Sequence, residues 1–198
     1  MDILLDAIGK HYNQKWIFRN ISAAILQGDK VSITGQNGSG KSTLMQLCLG
    51  MITPDIGKIN WGVEKFNAKN FSLCAPYTMP IMEYSTLENL KFAENFKPFR
   101  KKMSAAQVAN FLPETKRNLS KPLYQLSSGM VQRVKLILAL FANVSIVGLD
   151  EPLSNLDSEG QLWYQQLIKD ELDKTTLIVA GNQVNEFDFC TKNINLAP

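Results

Sequence analysis

The chain has 198 residues, 45% hydrophobic and 20% charged, and its 21 basic and 18 acidic side chains leave a net charge of +3. That length has room for one domain, or one with a small insertion, and the composition excludes a disordered, collagenous or fibrous chain. So slight a basic excess argues against a nucleic-acid partner.

The predicted elements alternate in kind. Strands are expected over Ile3 to Ile8, Ile17 to Ile25 and Val31 to Thr34, the last running into the glycine-rich segment GQNGSGKST and a helix over Leu44 to Leu49. Turn residues at Pro54-Asp55 precede strands at Lys58 to Trp61 and Asn70 to Cys74. From Leu87 to Leu123 the pattern is helical, around Leu87 to Asn95 and Ser104 to Phe111. A helix over Met130 to Phe141 places Val131, Val134, Ile137, Leu138 and Phe141 at helical spacing. A buried strand over Val144 to Leu149, a helix over Gln161 to Leu172 and a strand over Thr175 to Ala180 complete the pattern. Strands alternating with helices predict an α/β fold with a largely parallel sheet.

Cys48, Cys74 and Cys190 are scattered, with no CxxC spacing, which points to a reducing compartment and against a disulfide framework or zinc site. The start MDILLDAIGK lacks the basic and apolar regions of a signal peptide. The most apolar segment, Leu136 to Leu149, is interrupted by Asn143 and Ser145 and falls short of the roughly 20 residues of a membrane span. A soluble, cytoplasmic protein is expected. The one histidine, His11, lies near the amino terminus, so no histidine chemistry is available in the carboxy-terminal half.

Gly35-Gln36-Asn37-Gly38-Ser39-Gly40-Lys41-Ser42-Thr43 satisfies GxxxxGK[ST] between a predicted strand and a predicted helix, the context that motif needs. Its glycines let successive N–H groups face one anion, and the helix adds its positive end. Lys41 is placed to reach the β- and γ-phosphates and Ser42 to ligate Mg²⁺. A chance glycine-rich turn is the alternative; the strand, loop and helix in register argue against it.

Further along, Leu126-Ser127-Ser128-Gly129-Met130 opens the long helix, and the strand after it ends in Asp150-Glu151-Pro152, followed by Ser154-Asn155-Leu156-Asp157. In these motifs and their order the sequence resembles the ATP-binding cassette family, the ATPase subunits of ABC transporters, over almost its whole length. The resemblance implies a P-loop cassette over residues 1–198 as a single domain, with a mostly parallel central sheet, an antiparallel β subdomain and a small helical subdomain at about 85–140. LSSGM is similar to the family's signature, from which Ser128 and Met130 depart. Ser127, Ser128, Gly129 and Asp157 would then contact ATP held by a second copy or a homologous ATPase subunit in a head-to-tail dimer.

Asp150 matches the family's Mg²⁺-holding aspartate, and Glu151 its general base, suited to polarise the attacking water. Tyr12 matches the aromatic that stacks on adenine; a half-buried edge aromatic is the alternative, and Trp16 is near. Two family residues are missing. Ala75 or Pro76 stands where a glutamine touches Mg²⁺ and water, and Asn182 stands in place of the switch histidine, able to donate a hydrogen bond but not to titrate.

With Glu151 retained, the expectation is an ATPase, slowed by those losses, with ATP and Mg²⁺ as cofactors. A transmembrane permease subunit would dock through about 76–100, where Pro76, Pro80, Met82 and Tyr84 fall, and would hold the chain at the inner face of the cell membrane. The compact form is similar to haem-exporter-like ATPases. The alternatives are a non-hydrolysing nucleotide-binding regulator and a soluble cassette ATPase uncoupled from transport.

Overall fold

The computed structural model describes residues 1–114, 116–172 and 175–196. Its strands are β1 (Ile3–Tyr12), β2 (Lys15–Ile25), β3 (Lys30–Gly35), β4 (Ile56–Asn60), β5 (Phe71–Cys74), β6 (Ile146–Asp150), β7 (Thr176–Ala180) and β8 (Lys192–Leu196). Its helices are α1 (Lys41–Cys48), α2 (Thr86–Phe96), α3 (Ala105–Ala109), α4 (Lys116–Leu119), α5 (Ser128–Phe141) and α6 (Ser158–Glu171).

Two sheets result. One is antiparallel, ordered β2-β1-β4, and the other parallel, ordered β5-β6-β7-β3-β8. Every residue of β6 and β7 is buried, as central parallel strands covered on both faces require. Their side chains alternate between two cores. Ile146, Ile178 and Ala180 pack with Leu44 and Met45 of α1, whereas Val147, Leu149, Leu177 and Val179 join Ile137 and Leu140 of α5 and Ile168 of α6. Because the five strands run parallel, the carboxyl ends of β3, β5, β6 and β7 lie along one edge of the sheet, where such folds bind ligands.

Three features differ from the sequence expectation. β1 runs past Ile8 to Tyr12 because Asn13 and Gln14, with φ of 46° and 65°, form the left-handed pair of a tight hairpin. α6 begins three residues earlier, at Ser158, because the Asp157 carboxylate accepts from Gly160 N–H at 2.8 Å and caps it. The edge strand β8 was not expected. Lys192, Asn193 and Asn195 carry little strand propensity, and its order comes from pairing with β3 and from Asn193 Oδ1 accepting from Ser32 and Thr34. Among the described residues no helix is long and apolar enough to cross a membrane.

Candidate nucleotide site

The loop from Gly35 to Gly40 leaves β3 and enters α1 through left-handed conformations, with φ of 79° at Gly38 and 97° at Gly40. A Cβ at Gly40 would also collide with Ile17, so glycine is required there twice over. Lys41 is the first residue of α1 and only 8% exposed. Its ammonium donates to the carbonyls of Gly35 at 3.0 Å and Gln36 at 3.1 Å, which folds the side chain back along the loop. Ser39 Oγ is buried without a hydrogen-bond partner among the described residues.

Asp150 ends β6 and is buried. Burial pushes its carboxyl above the usual range, the Ser42 hydroxyl hydrogen-bonded to it lowers it, Glu151 raises it, and the Lys41 charge lowers it. Ser42 and Asp150 are thus in contact, two oxygen donors of the kind Mg²⁺ takes alongside phosphate and water. The residues present fit that ion.

Glu151 follows in the left-handed region at φ 47°, a conformation costing a non-glycine residue about 1–3 kcal/mol and held only where the surroundings dictate it. Here its N–H donates to Ala180 O at 2.8 Å and its carbonyl accepts from Ser154 N–H at 3.1 Å. Glu151 borders a cavity of about 310 Å³ lined also by Tyr12, Ile17 and the phosphate-loop residues Asn37, Gly38 and Gly40 to Thr43. Tyr12 presents an exposed ring with Lys10 over it, 5.5 Å from its centroid. Trp16 is occupied, with Arg19 4.0 Å above its ring and His11 against its edge. Of the two aromatics, Tyr12 is the one that faces the cavity.

The other candidates lie elsewhere. Ser127 Oγ caps α5 by accepting from Met130 N–H, and Gly129 abuts the carbonyl of Asn155, which would meet an added Cβ at 2.8 Å. Ser128 lines a separate cavity, of about 380 Å³. Asp157 caps α6 and pairs with Arg133 at 3.1 Å. Asn182 is exposed and does not line the phosphate-loop cavity; its backbone N–H donates to Glu186 Oε2 at 2.8 Å.

In the loop after β5, Ala75 is buried and Pro76 has no metal-binding group. That loop instead offers the Tyr77 hydroxyl, which accepts from Gln46 at 2.9 Å. Burial raises its phenol, the Gln46 bond lowers it and the nearby Asp150 charge raises it.

Glu186 was missed by sequence reasoning, because a lone acidic residue six positions beyond a strand reads as solvated. It is only 3% exposed. Its Oε2 accepts from the N–H groups of Asn182 at 2.8 Å and Gln183 at 2.9 Å, and the carboxylate also accepts from Leu153 N–H. One carboxylate therefore ties the loop after β7 to the loop after β6. A Cβ at Gly181 would collide with it, so that glycine was the signal to follow.

Glu186→Gln replaces one accepting oxygen by an NH2 group, which donates and cannot accept. A lost hydrogen bond to a charged group is worth about 1.5–3 kcal/mol, so kcat for ATP is expected to fall about tenfold with KM unchanged. Steady-state kinetics check this; a lowered melting temperature with kcat intact would leave Glu186 as scaffold alone.

A family model described as ABC transporter matches residues 18–154, more than half of the chain. The chain is 30% identical over 192 residues to the spermidine/putrescine import ATP-binding protein PotA of Fusobacterium nucleatum, covering 92% of this chain and 51% of that protein, so it spans about half of that relative's length. It is 28% identical over 198 residues to the lipoprotein-releasing system ATP-binding protein LolD of Bacteroides fragilis, covering 91% of each. Among solved structures, the dimeric bacterial ABC transporter cassette MJ0796 superposes with a TM-score of 0.83 at 25% identity, covering 98% of this chain and 94% of that one. The dimeric post-hydrolysis state of that cassette, bound to ADP and Pi, gives 0.82 at 25% identity, covering 98% and 93%.

Proposed function

The chain belongs to the ABC transporter family, and from that membership we propose that it is the ATP-binding and ATP-hydrolysing subunit of a membrane transporter. The observation that carries this reading is the single cavity bordered by the phosphate loop, Ser42, Tyr12 and Glu151, with Asp150 against Ser42. Residues 1–198 make one cassette, with its helical part at about 85–140.

In that cavity the loop N–H groups and Lys41 bind the β- and γ-phosphates, Lys41 exchanging its carbonyl partners for phosphate oxygens. Tyr12 stacks on the adenine ring. Ser42 and Asp150 would hold Mg²⁺, which would supply charge neutralisation at the phosphates. Glu151 takes the proton of the attacking water. Asn182, with no side-chain hydrogen bond among the described residues, is free to swing to the γ-phosphate as a neutral donor.

Within one chain Ser128 lines a different cavity from the phosphate loop, and neither Ser127 nor Gly129 lines the phosphate-loop cavity. That separation supports a shared site, in which a second copy or a homologous ATPase subunit brings its signature and Asp157 loop over the nucleotide. The exposed Asn182 favours one rival, a nucleotide-binding regulator that does not hydrolyse; phosphate release by the purified chain decides between them.

Docking of a permease through about 76–100 is supported by apolar exposure there, with Met79 62% and Tyr77 50% exposed, beside Tyr124 at 62%. Tyr and Met are enriched at interfaces. Such a partner holds the chain on the cytoplasmic face of a membrane. Met79→Asp with Tyr124→Asp is expected to abolish co-purification of a multi-span protein from detergent-solubilised membranes while leaving ATP affinity of the isolated chain unchanged, since neither residue lines the phosphate-loop cavity. Undiminished co-purification would move the docking surface elsewhere.

A further inference from the structure

Lys135 is a largely buried lysine that makes no ion pair among the described residues. It follows Ser128 and Gln132 at seven and three residues along α5, so the three share one face of that helix. Only 9% of it is exposed, and among the described residues its ammonium has no hydrogen bond or ion pair. The titratable groups near it are Cys74, whose thiol burial pushes up to about 12, and Glu151, which lines the same cavity without pairing with it among the described residues. Lysine is rarely so far buried unless paired, and this one lies on a cavity wall.

Lys135 lines the cavity of about 380 Å³, together with Ser128, Gln132, Glu151, Ser154 and Asn155. Glu151 alone borders both this cavity and the one around the phosphate loop. A path from one to the other therefore runs past the carboxylate that takes the water's proton.

We propose that the Lys135 cavity is an anion site that receives inorganic phosphate on its way out of the phosphate loop, with Lys135 as its counter-ion. This rests on the hydrolytic reading above. Ser128 and Asn155 add polar groups to the wall, and the volume exceeds what a phosphate needs. The same charge could meet a carboxylate from a docked protein, since Met79 and Tyr124 form the cavity's outer rim.

The test is titration of the full chain with inorganic phosphate by calorimetry, with the phosphate loop filled by saturating ADP and Mg²⁺. Wild type and Lys135→Arg are expected to bind phosphate alike. Lys135→Met should bind at least about tenfold more weakly, because a charge-assisted contact is lost, while ADP affinity stays the same in all three and shows that the fold is intact. Equal phosphate affinity in wild type and Lys135→Met overturns the proposal, as does wild type binding ADP but no added phosphate. Acetate displacing phosphate at equal concentration also overturns it and assigns Lys135 to a protein carboxylate. Failure to bind ADP at all would strike the nucleotide reading itself.

Discussion

Lys41→Ala is expected to weaken ATP binding about 100-fold and to reduce phosphate release to background. Lys41 is the only side-chain cation in the loop, and two carbonyls, at 3.0 and 3.1 Å, hold its ammonium at the cavity wall. Each charge-assisted bond it makes to phosphate is worth about 1.5–3 kcal/mol, and two at the lower end give about 3 kcal/mol, or roughly 100-fold. The backbone N–H groups of the loop remain, so weak binding should persist. Titration with a fluorescent ATP analogue reads the loss directly; unchanged affinity would detach the loop from nucleotide binding.

Glu151→Gln is expected to preserve ATP affinity and to slow hydrolysis by about 10²–10⁴, the usual contribution of a general base. The amide matches the carboxylate in shape, and the backbone that fixes the residue at φ 47°, bonded to Ala180 O and Ser154 N–H, is untouched. What disappears is the capacity to accept a proton. If two copies share each nucleotide, ATP should then accumulate a stable dimer visible by size-exclusion chromatography. A variant that stays monomeric in saturating ATP would contradict the shared site.

Much of this architecture is legible in the sequence, and the limits have physical causes. The strand–loop–helix around Gly35 to Thr43 is readable because glycine, lysine and serine at that spacing have few other uses. The Asp150-Glu151 pair is readable because it ends a continuous apolar strand, which only a covered parallel sheet accommodates. Lys135 escaped notice because its burial depends on α5 packing against the end of β5, a long-range contact. Glu186 became visible only when the loops after β6 and β7 met across it. The choice between Tyr12 and Trp16 likewise waited for Arg19, which covers the indole from the same strand, β2.

Without a metal-touching glutamine after β5 or a histidine after β7, turnover rests on the remaining groups. Ala75 and Pro76 offer no metal-binding side chain, and Asn182 lies outside the phosphate-loop cavity. Glu151, Asp150 and the Ser42 contact nevertheless supply the base and the oxygen donors that hydrolysis requires. The direct measurement is steady-state phosphate release by the purified wild-type chain with ATP, with and without Mg²⁺. Release that saturates with ATP, requires Mg²⁺ and falls to background in Glu151→Gln is the predicted result; tight ATP binding with no release above that variant would contradict it.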